Sequence, residues 1–524
     1  PYRNQVLSGG GGSCTGMAAC VVTLASPMAV TATFRPVVVS LTDAEAKRFL
    51  EQATWGPTPA LMTHVKTIGK EAFLDEQFAA SPSTYPDPDP NSNSLTPVRN
   101  QFFHNAFHGQ DQLRQRMAFA LGQIFVVSAN TVGADYQMIP YLRILQQGAF
   151  GNYEDVMRAV TLSPTMGVFL DMVNNDKTVP GSGLNPNENY PREFLQLFSV
   201  GTRLLNLDGS EQLDAGGNPI PPYDQDVILN LSRVMTGWTY PTQPGATPRW
   251  RNPSYFGGPM EPIQSHHDVG AKELMNGFIL PAGQTAQEDL NQAIQHVFQH
   301  PNVGPFVATR LIRHFVSSNP SPEYVARVAS VFNANANGVR GDLPSVLKAV
   351  LLDPEAAAVP SSGGHLREPI LFEVALLRAL GATVNPDNPL YSRAREMGQD
   401  LFSPPSVFNY FSPLYNIPGT PLFGPEFQIH NFSSSIARGN FVYRVVTGGL
   451  GSGASVDLTP YEALAGNPAQ LVTTIAQLLL HEPLSPLERQ IIVSAITHAG
   501  STNTTRVRNA VYLIAVSSRY QVQH

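Results

Sequence analysis

The chain has 524 residues, 42% hydrophobic, 9% aromatic and only 14% charged, with a formal net charge of −7. That apolar content suffices for a large core in two to four domains and excludes a disordered chain. The negative balance excludes attraction of nucleic acid or an anionic membrane by bulk charge, and no apolar run reaches the 18 residues of a membrane helix.

The first element is the Gly-rich stretch "SGGGGSCTGMAACVVTLASPMAVTATF", which holds both cysteines, Cys14 and Cys20. Their short spacing in a hairpin predicts a disulfide and an oxidising compartment; two unpaired thiols are the alternative. The chain starts without Met or a signal peptide, so a processed or partial product is expected. Residues 8–34, "SGGGGSCTG…ACVVTL…AVTATF", resemble the closing strands of a bacterial extracellular β repeat. The resemblance implies secretion and a β remnant over residues 1–36.

From residue 42 the pattern becomes helical. Thr42 and Glu45 form a capping box before "AEAKRFLEQATWG", and Thr58-Pro59 opens a second helix by N-cap and N1 preference. A polar Pro-rich loop fills 81–97. "DQLRQRMAFALGQIFVVSAN" (111–130) predicts a long apolar helix, and 136–175 continues in the same style. Residues 205–224 predict a β-hairpin with turn residues at its tip. An irregular Pro/Gly-rich segment runs from about 239 to 284. Helical periodicity returns at 286–300, 303–317, 322–335, 343–352, 368–381, 425–446, 467–480, 485–498 and 503–517. No fixed-period repeat is present, which argues against a solenoid. The expected architecture is mainly α: one large multi-helix domain (37–450) with long Pro/Gly-rich loops, and C-terminal helices (451–524) packed on it.

Successive blocks in this body, among them "TDAEAKRFLEQATWGPTPALM", "NENYPREFLQLFSVGTRLLNLDGS", "LREPI" and "PPSVFNYFSP", are similar to those of a large bacterial family, domain of unknown function 1800. The resemblance spans about residues 42–445. It implies a mostly helical, often exported bacterial protein and brings no established reaction.

Function must then come from the residues. "NPNENYPREFLQLFSVG" (185–201) places Glu188, Arg192 and Glu193 where an apolar helix begins, and charges there are costly unless paired or used. Glu188 and Arg192 are i, i+4 and share a face; Glu193 points elsewhere. They form either a structural cap and ion pair or an acid–base group tuned by Arg192. The loop "SHHDVGAKEL" (265–274) concentrates His266, His267, Asp268 and Lys272, and loops on rigid scaffolds are where sites concentrate. His104 and His108 have an i, i+4 spacing compatible with a metal, but no H-E-x-x-H and no third ligand accompany them. Arg310, Arg313 and His314 lie on neighbouring faces of one helix, suited to an anion or to buried carboxylates. Asp208, Ser210 and Asp214 fit an EF-hand loop poorly, and turn residues are the simpler account. Trp238, Tyr240 and Trp250 would stack on a sugar or cover the core.

These observations predict a secreted, periplasmic or cell-surface bacterial protein, a hydrolase or lyase acting on an extracellular polymer. Glu188, Arg192, Glu193, His267 and Asp268 would be catalytic, and Trp238, Lys272, Arg310 and Arg313 would bind substrate. The expected convergence folds the 265–274 loop onto the helix opened at Glu188. The alternatives are a non-catalytic surface scaffold or adhesion protein, and a metal-dependent oxidoreductase using His104, His108 and His267. A surface protein partner is compatible with the first alternative; the sequence names no cofactor.

Overall fold

A computed structural model describes residues 5–12, 30–36, 41–181, 183–358, 363–499 and 502–523. The fold is mainly α, and the named strands among the described residues occur only as antiparallel pairs. Gln5–Gly12 pairs with Val30–Pro36, with a register irregularity between Leu7 and Gly9. Cys14 and Cys20, and with them the expected disulfide, lie outside the described residues.

Helix starts follow local chemistry. The Thr42 hydroxyl accepts from the Glu45 amide while the Glu45 carboxylate accepts from the Thr42 amide, opening helix Asp43–Ala53. At Pro59–Ile68 the Thr58 hydroxyl accepts from the Leu61 amide, with no reciprocal bond. Two expected helices differ from the pattern. The helix from residue 112 stops at Ile124, because the Ala129 amide donates to the Phe402 carbonyl (2.7 Å) and the Ser128 hydroxyl to the Pro404 carbonyl (2.7 Å). Tertiary partners there outcompete helical continuation. The stretch at 425–446 divides into a 3₁₀ turn, Pro425–Ile429, and helix Phe432–Thr447, whose start is capped by Asn431. The stretch at 205–224 folds as two short ladders, closed by turns at 206–210 and 214–218.

Two apolar cores organise the body. The first gathers helices Asp43–Ala53, Gln112–Ile124, Asp135–Gly148, Tyr153–Thr161, Ala286–Phe298, Val303–Phe315, Pro322–Asn333 and Leu343–Leu351. The second joins helix Thr96–His108 to Pro369–Ala379, Phe432–Thr447, Pro468–Leu479 and Asn503–Ala515. Helix Pro369–Ala379 is buried on every side, as an apolar helix at the centre of a large core must be. It passes so close to Gly56 that a Cβ there would sit 2.7 Å from the Ala375 Cα, and the Gly56 φ of 126° also requires glycine.

Charge runs along the seam between these cores. The Arg116 guanidinium lies 5.6 Å from the Trp55 ring of one core and 5.4 Å from the Phe315 ring of the other, and donates to the Glu51 and Thr54 carbonyls. Arg367 pairs with Glu51 at 2.7 Å, both side chains being almost wholly buried, and also donates to the Tyr520 carbonyl. The C-terminal strand Val522–Gln523 closes the seam by pairing with His365–Leu366.

Removing one member of a buried pair strands the other charge. Arg367→Ala should therefore cost roughly 3–5 kcal/mol, whereas a double replacement of Arg367 and Glu51 by methionine should recover most of that loss. Urea midpoints of the three proteins check this, and a single mutant as stable as the parent would contradict it.

Candidate functional site

At the opening of helix Asn189–Gln196, Glu188 and Arg192 form the expected i, i+4 pair at 2.7 Å. Gln225 completes the group: its amide donates to Glu188 (2.7 Å) and its carbonyl accepts from Arg192 (3.2 Å). The Arg192 and Glu188 side chains are 39% and 33% exposed, so the pair is half-buried. Glu193 points away, and burial raises its pKa against the pull of Arg192. Its Oε2 is buried without a partner, as is the Tyr223 hydroxyl.

The 265–274 loop is anchored from inside. His267 is fully buried; its Nε2 meets Asp289 Oδ2 at 3.0 Å and its Nδ1 the Thr236 carbonyl at 3.0 Å. Lys272, equally buried, donates to Asp289 at 2.6 Å and to the Asp268 and Gly270 carbonyls. Arg233 grips Asp268 with two bonds, at 2.9 and 3.1 Å. Burial works against the Asp268 carboxylate, yet the Arg233 and Gly270 bonds hold its pKa below the usual range. The His267–Asp289–Lys272 group is closed to solvent, so these residues pin the loop and reach no ligand from outside. His266 instead faces outward, bonded to Asp176 at 2.9 Å and stacked on Trp250 at 4.1 Å.

The convergence expected between these two segments does not form. Gln225, bound to Glu188, starts helix Gln225–Val234, and Arg233, bound to Asp268, lies near its end. Eight residues of helix separate them by about 12 Å. Asn175 and Asp176 bridge part of the gap, since Asn175 accepts from the Asn187 amide and Asp176 holds His266.

The remaining candidates divide as follows. Trp238 is 0% exposed within the first core, so its ring packs and presents no face to a sugar. The His104 and His108 rings lie 4.9 Å apart, and His108 Nε2 meets the Val384 carbonyl. No group of three or more His, Cys, Asp or Glu among the described residues is arranged to hold a metal, so the pair lacks a third ligand. Asp208 and Asp214 spend their oxygens on their own turns, on Ser210 and on Gly216 and Asn218.

Arg310 and Arg313 lead to a different place. Helix Val303–Phe315 presents both, with His314, to a partly open cavity of about 510 Å³, some of it continuous with solvent. Glu426, Gln123 and Asn409 complete the polar lining. Burial lowers the Arg310 and Arg313 pKa values to about 10, with mutual repulsion adding to the effect at Arg310. Arg313 donates to the Ser318 and Pro413 carbonyls. Among the described residues no carboxylate or carbonyl pairs with the Arg310 guanidinium, whose neighbour is the Phe306 ring at 4.7 Å. Burial, then Arg310, lowers the His314 pKa to about 3, so its imidazole is neutral. Glu426 Oε1 meets His365 at 3.4 Å, while its buried Oε2 has no partner. A buried carboxylate oxygen without a protein donor is costly, and in a cavity lining a bound molecule can supply the donor.

Behind this lining stands Glu368, at the entry of helix Pro369–Ala379. It accepts from the Gln123 amide at 3.0 and 3.1 Å and from Gln399. Burial pushes its pKa up to about 7, the amide donors opposing and the Glu426 charge adding. Sequence reasoning weighed neither Glu368 nor Glu426. The available signal was "REP" at 367–369, an Arg-Glu pair directly before an apolar helix, the same signature as Arg192-Glu193.

Two predictions follow from the placements. With the Glu188–Arg192 pair a third exposed, Arg192→Ala should lower stability by less than about 1 kcal/mol, read as a small shift in urea midpoint. Glu368, protonated more readily folded than unfolded, makes stability decline as pH rises from about 4.5 through 7. His314 acts oppositely, its contribution being present above 6.5 and lost as pH falls toward 3. Glu368→Gln removes the first effect alone. Relative to that variant, the parent should lose on the order of 2–3 kcal/mol across the pH 4.5–7 window, measurable by denaturation at several pH values. Parallel pH profiles for the two proteins would contradict it.

The family model described as "Protein of unknown function (DUF1800)" matches residues 48–522. No curated protein and no solved structure matches the chain. The matched span carries nearly all of both cores, the charged seam and every residue lining the cavity, and over that span the chain belongs to the family of proteins of unknown function DUF1800.

Proposed function

We propose that this is an exported bacterial enzyme, a hydrolase or lyase acting on the anionic end of an extracellular polymer, with the Arg310–Glu426 cavity as its active site. One observation carries the reading. Two guanidinia, a neutral imidazole and a carboxylate with a partnerless oxygen converge on one partly enclosed cavity. Convergent polar groups with displaced pKa values in a cavity are the pattern of an active site.

Arg310 and Arg313 bind an anionic group of the substrate. The free Glu426 oxygen accepts a proton, from water in a hydrolase or from the carbon beside the bound anion in a lyase. The neutral His314 imidazole supplies a hydrogen-bond partner to the departing group. Partial enclosure favours a chain end over the middle of a chain. Export is supported by the resemblance of residues 8–34 to an extracellular repeat.

A second reading is a non-catalytic surface protein that binds another protein. Phe432, Ile436 and Tyr443, 81%, 48% and 60% exposed, share one face of helix Phe432–Thr447.

Oligomers with anionic ends provide the test. Glu426→Gln should lower turnover by about 10²-fold or more while leaving substrate binding, and Arg310→Gln should mainly weaken binding. Full turnover by a folded Glu426→Gln protein would overturn the assignment.

A further inference from the structure

A second cavity lies against the first. Of about 630 Å³, again partly open to solvent, it is mostly apolar, with Phe102, Phe119, Leu142, Leu145 and Phe402 in its walls. The two chambers share two residues, Gln123 and Asn409, whose side chains are hydrogen-bonded at 2.9 Å. That single amide pair stands where the charged chamber meets the apolar one.

The partition is built with special backbone. Asn409 has a φ of 71° and Phe402 a φ of 66°, both in the left-handed region. Asn tolerates that region; Phe does not without strain, and such strain is retained where the surroundings hold it in place. Here the Phe402 carbonyl is fixed by the Ala129 amide, and the neighbouring Pro404 carbonyl by Ser128. The loop is thus fastened at its base while the Phe402 ring faces the apolar chamber.

Three chemical demands meet at this place. Arg310 has no carboxylate partner among the described residues. Glu426 Oε2, in a side chain more than nine-tenths buried, lacks a donor. The adjoining chamber is walled mostly by apolar side chains. A simple anion answers only the first and would be repelled by Glu426. Resting on the active-site reading above, we propose that the two chambers recognise a carboxylate whose neighbouring carbon carries a hydrogen-bond donor and an apolar side chain. This is a 2-amino or 2-hydroxy acid with a branched or aromatic side chain, free or as the end unit of a chain. The carboxylate meets Arg310 and Arg313, the amine or hydroxyl donates to Glu426, and the side chain passes the Gln123–Asn409 amides into the apolar chamber.

The test is calorimetric titration of the full chain with leucine, 2-hydroxy-4-methylpentanoate, 4-methylpentanoate, alanine, lactate and 3-methylbutylamine. At least one of the first two should bind, and which does so identifies the donor as amine or hydroxyl. Its counterpart with a one-carbon side chain, 4-methylpentanoate without the donor, and the amine without the carboxylate should each bind about tenfold or more weakly. Ala118→Leu narrows the apolar chamber from helix Gln112–Ile124 and should abolish the preference for the larger side chain while leaving alanine and lactate unchanged. Asn409→Gly keeps the left-handed backbone without strain, removes the partition amide, and should speed association of the larger ligand. Equal binding of large and small side chains in the parent would overturn the apolar chamber's role and leave the anion site standing. Binding of 4-methylpentanoate as tight as that of its hydroxy acid would overturn the donor contact to Glu426. Failure of every carboxylate to bind would overturn the active-site reading as well, as would binding unaffected by Arg310→Gln.

Discussion

The structure depends on a layer of charge held between two oily cores. Burying an ion costs several kcal/mol, so each charge in the seam must find a partner, surrender its proton state or wait for one. Arg116 and Arg367 take the first course, through backbone carbonyls and Glu51. Glu368 takes the second, its pKa raised by burial. Arg310 and Glu426 are left with the third. The position of the cavity therefore follows from the electrostatic needs of the seam.

The same accounting separates structural clusters from functional ones. His267, Asp289 and Lys272 look like machinery in a sequence, but they pair with one another through Asp289 Oδ2 behind a closed surface, leaving only Asp289 Oδ1 without a partner, and fasten an irregular loop to helix Ala286–Phe298. A network closed to solvent offers nothing to a substrate. Glu188, Arg192 and Gln225 also close on themselves, nearer the surface. What marks the cavity is that Arg310, a cation unpaired among the described residues, and Glu426, a carboxylate with a partnerless oxygen, line one space that opens to solvent.

Helices were legible because their signals are local. The capping box at Thr42/Glu45 and the apolar periodicity of 286–300 and 485–498 set those helix starts within a residue or two of the ones observed. The stop at Ile124 was not legible, since it is imposed by a loop far along the chain. The site was hidden for the same reason. Local density of titratable residues points to 265–274 and 188–193, where charges can close on partners. The cavity instead draws single residues from 123, 310–314, 409 and 426, and its partition bond joins residues 286 positions apart. Arg310, Arg313 and His314 carried over from the sequence, because helical spacing put them on neighbouring faces of one helix.

The second core has a consequence for how the chain is made. Trp55, Phe102 and Phe103 share one core with Leu471, Val472 and Val511, residues hundreds of positions further along the chain. Helix Pro369–Ala379 cannot be enclosed until both groups are present. A chain emerging from its N-terminus must carry those aromatic side chains without their distant partners until the helices at 468–515 have been synthesised. The long-range closure makes assembly slow and the incomplete chain prone to association. The first core, drawn from residues 46–356, can close earlier, so the second core is the part of the interior whose closure waits on the helices at 468–515.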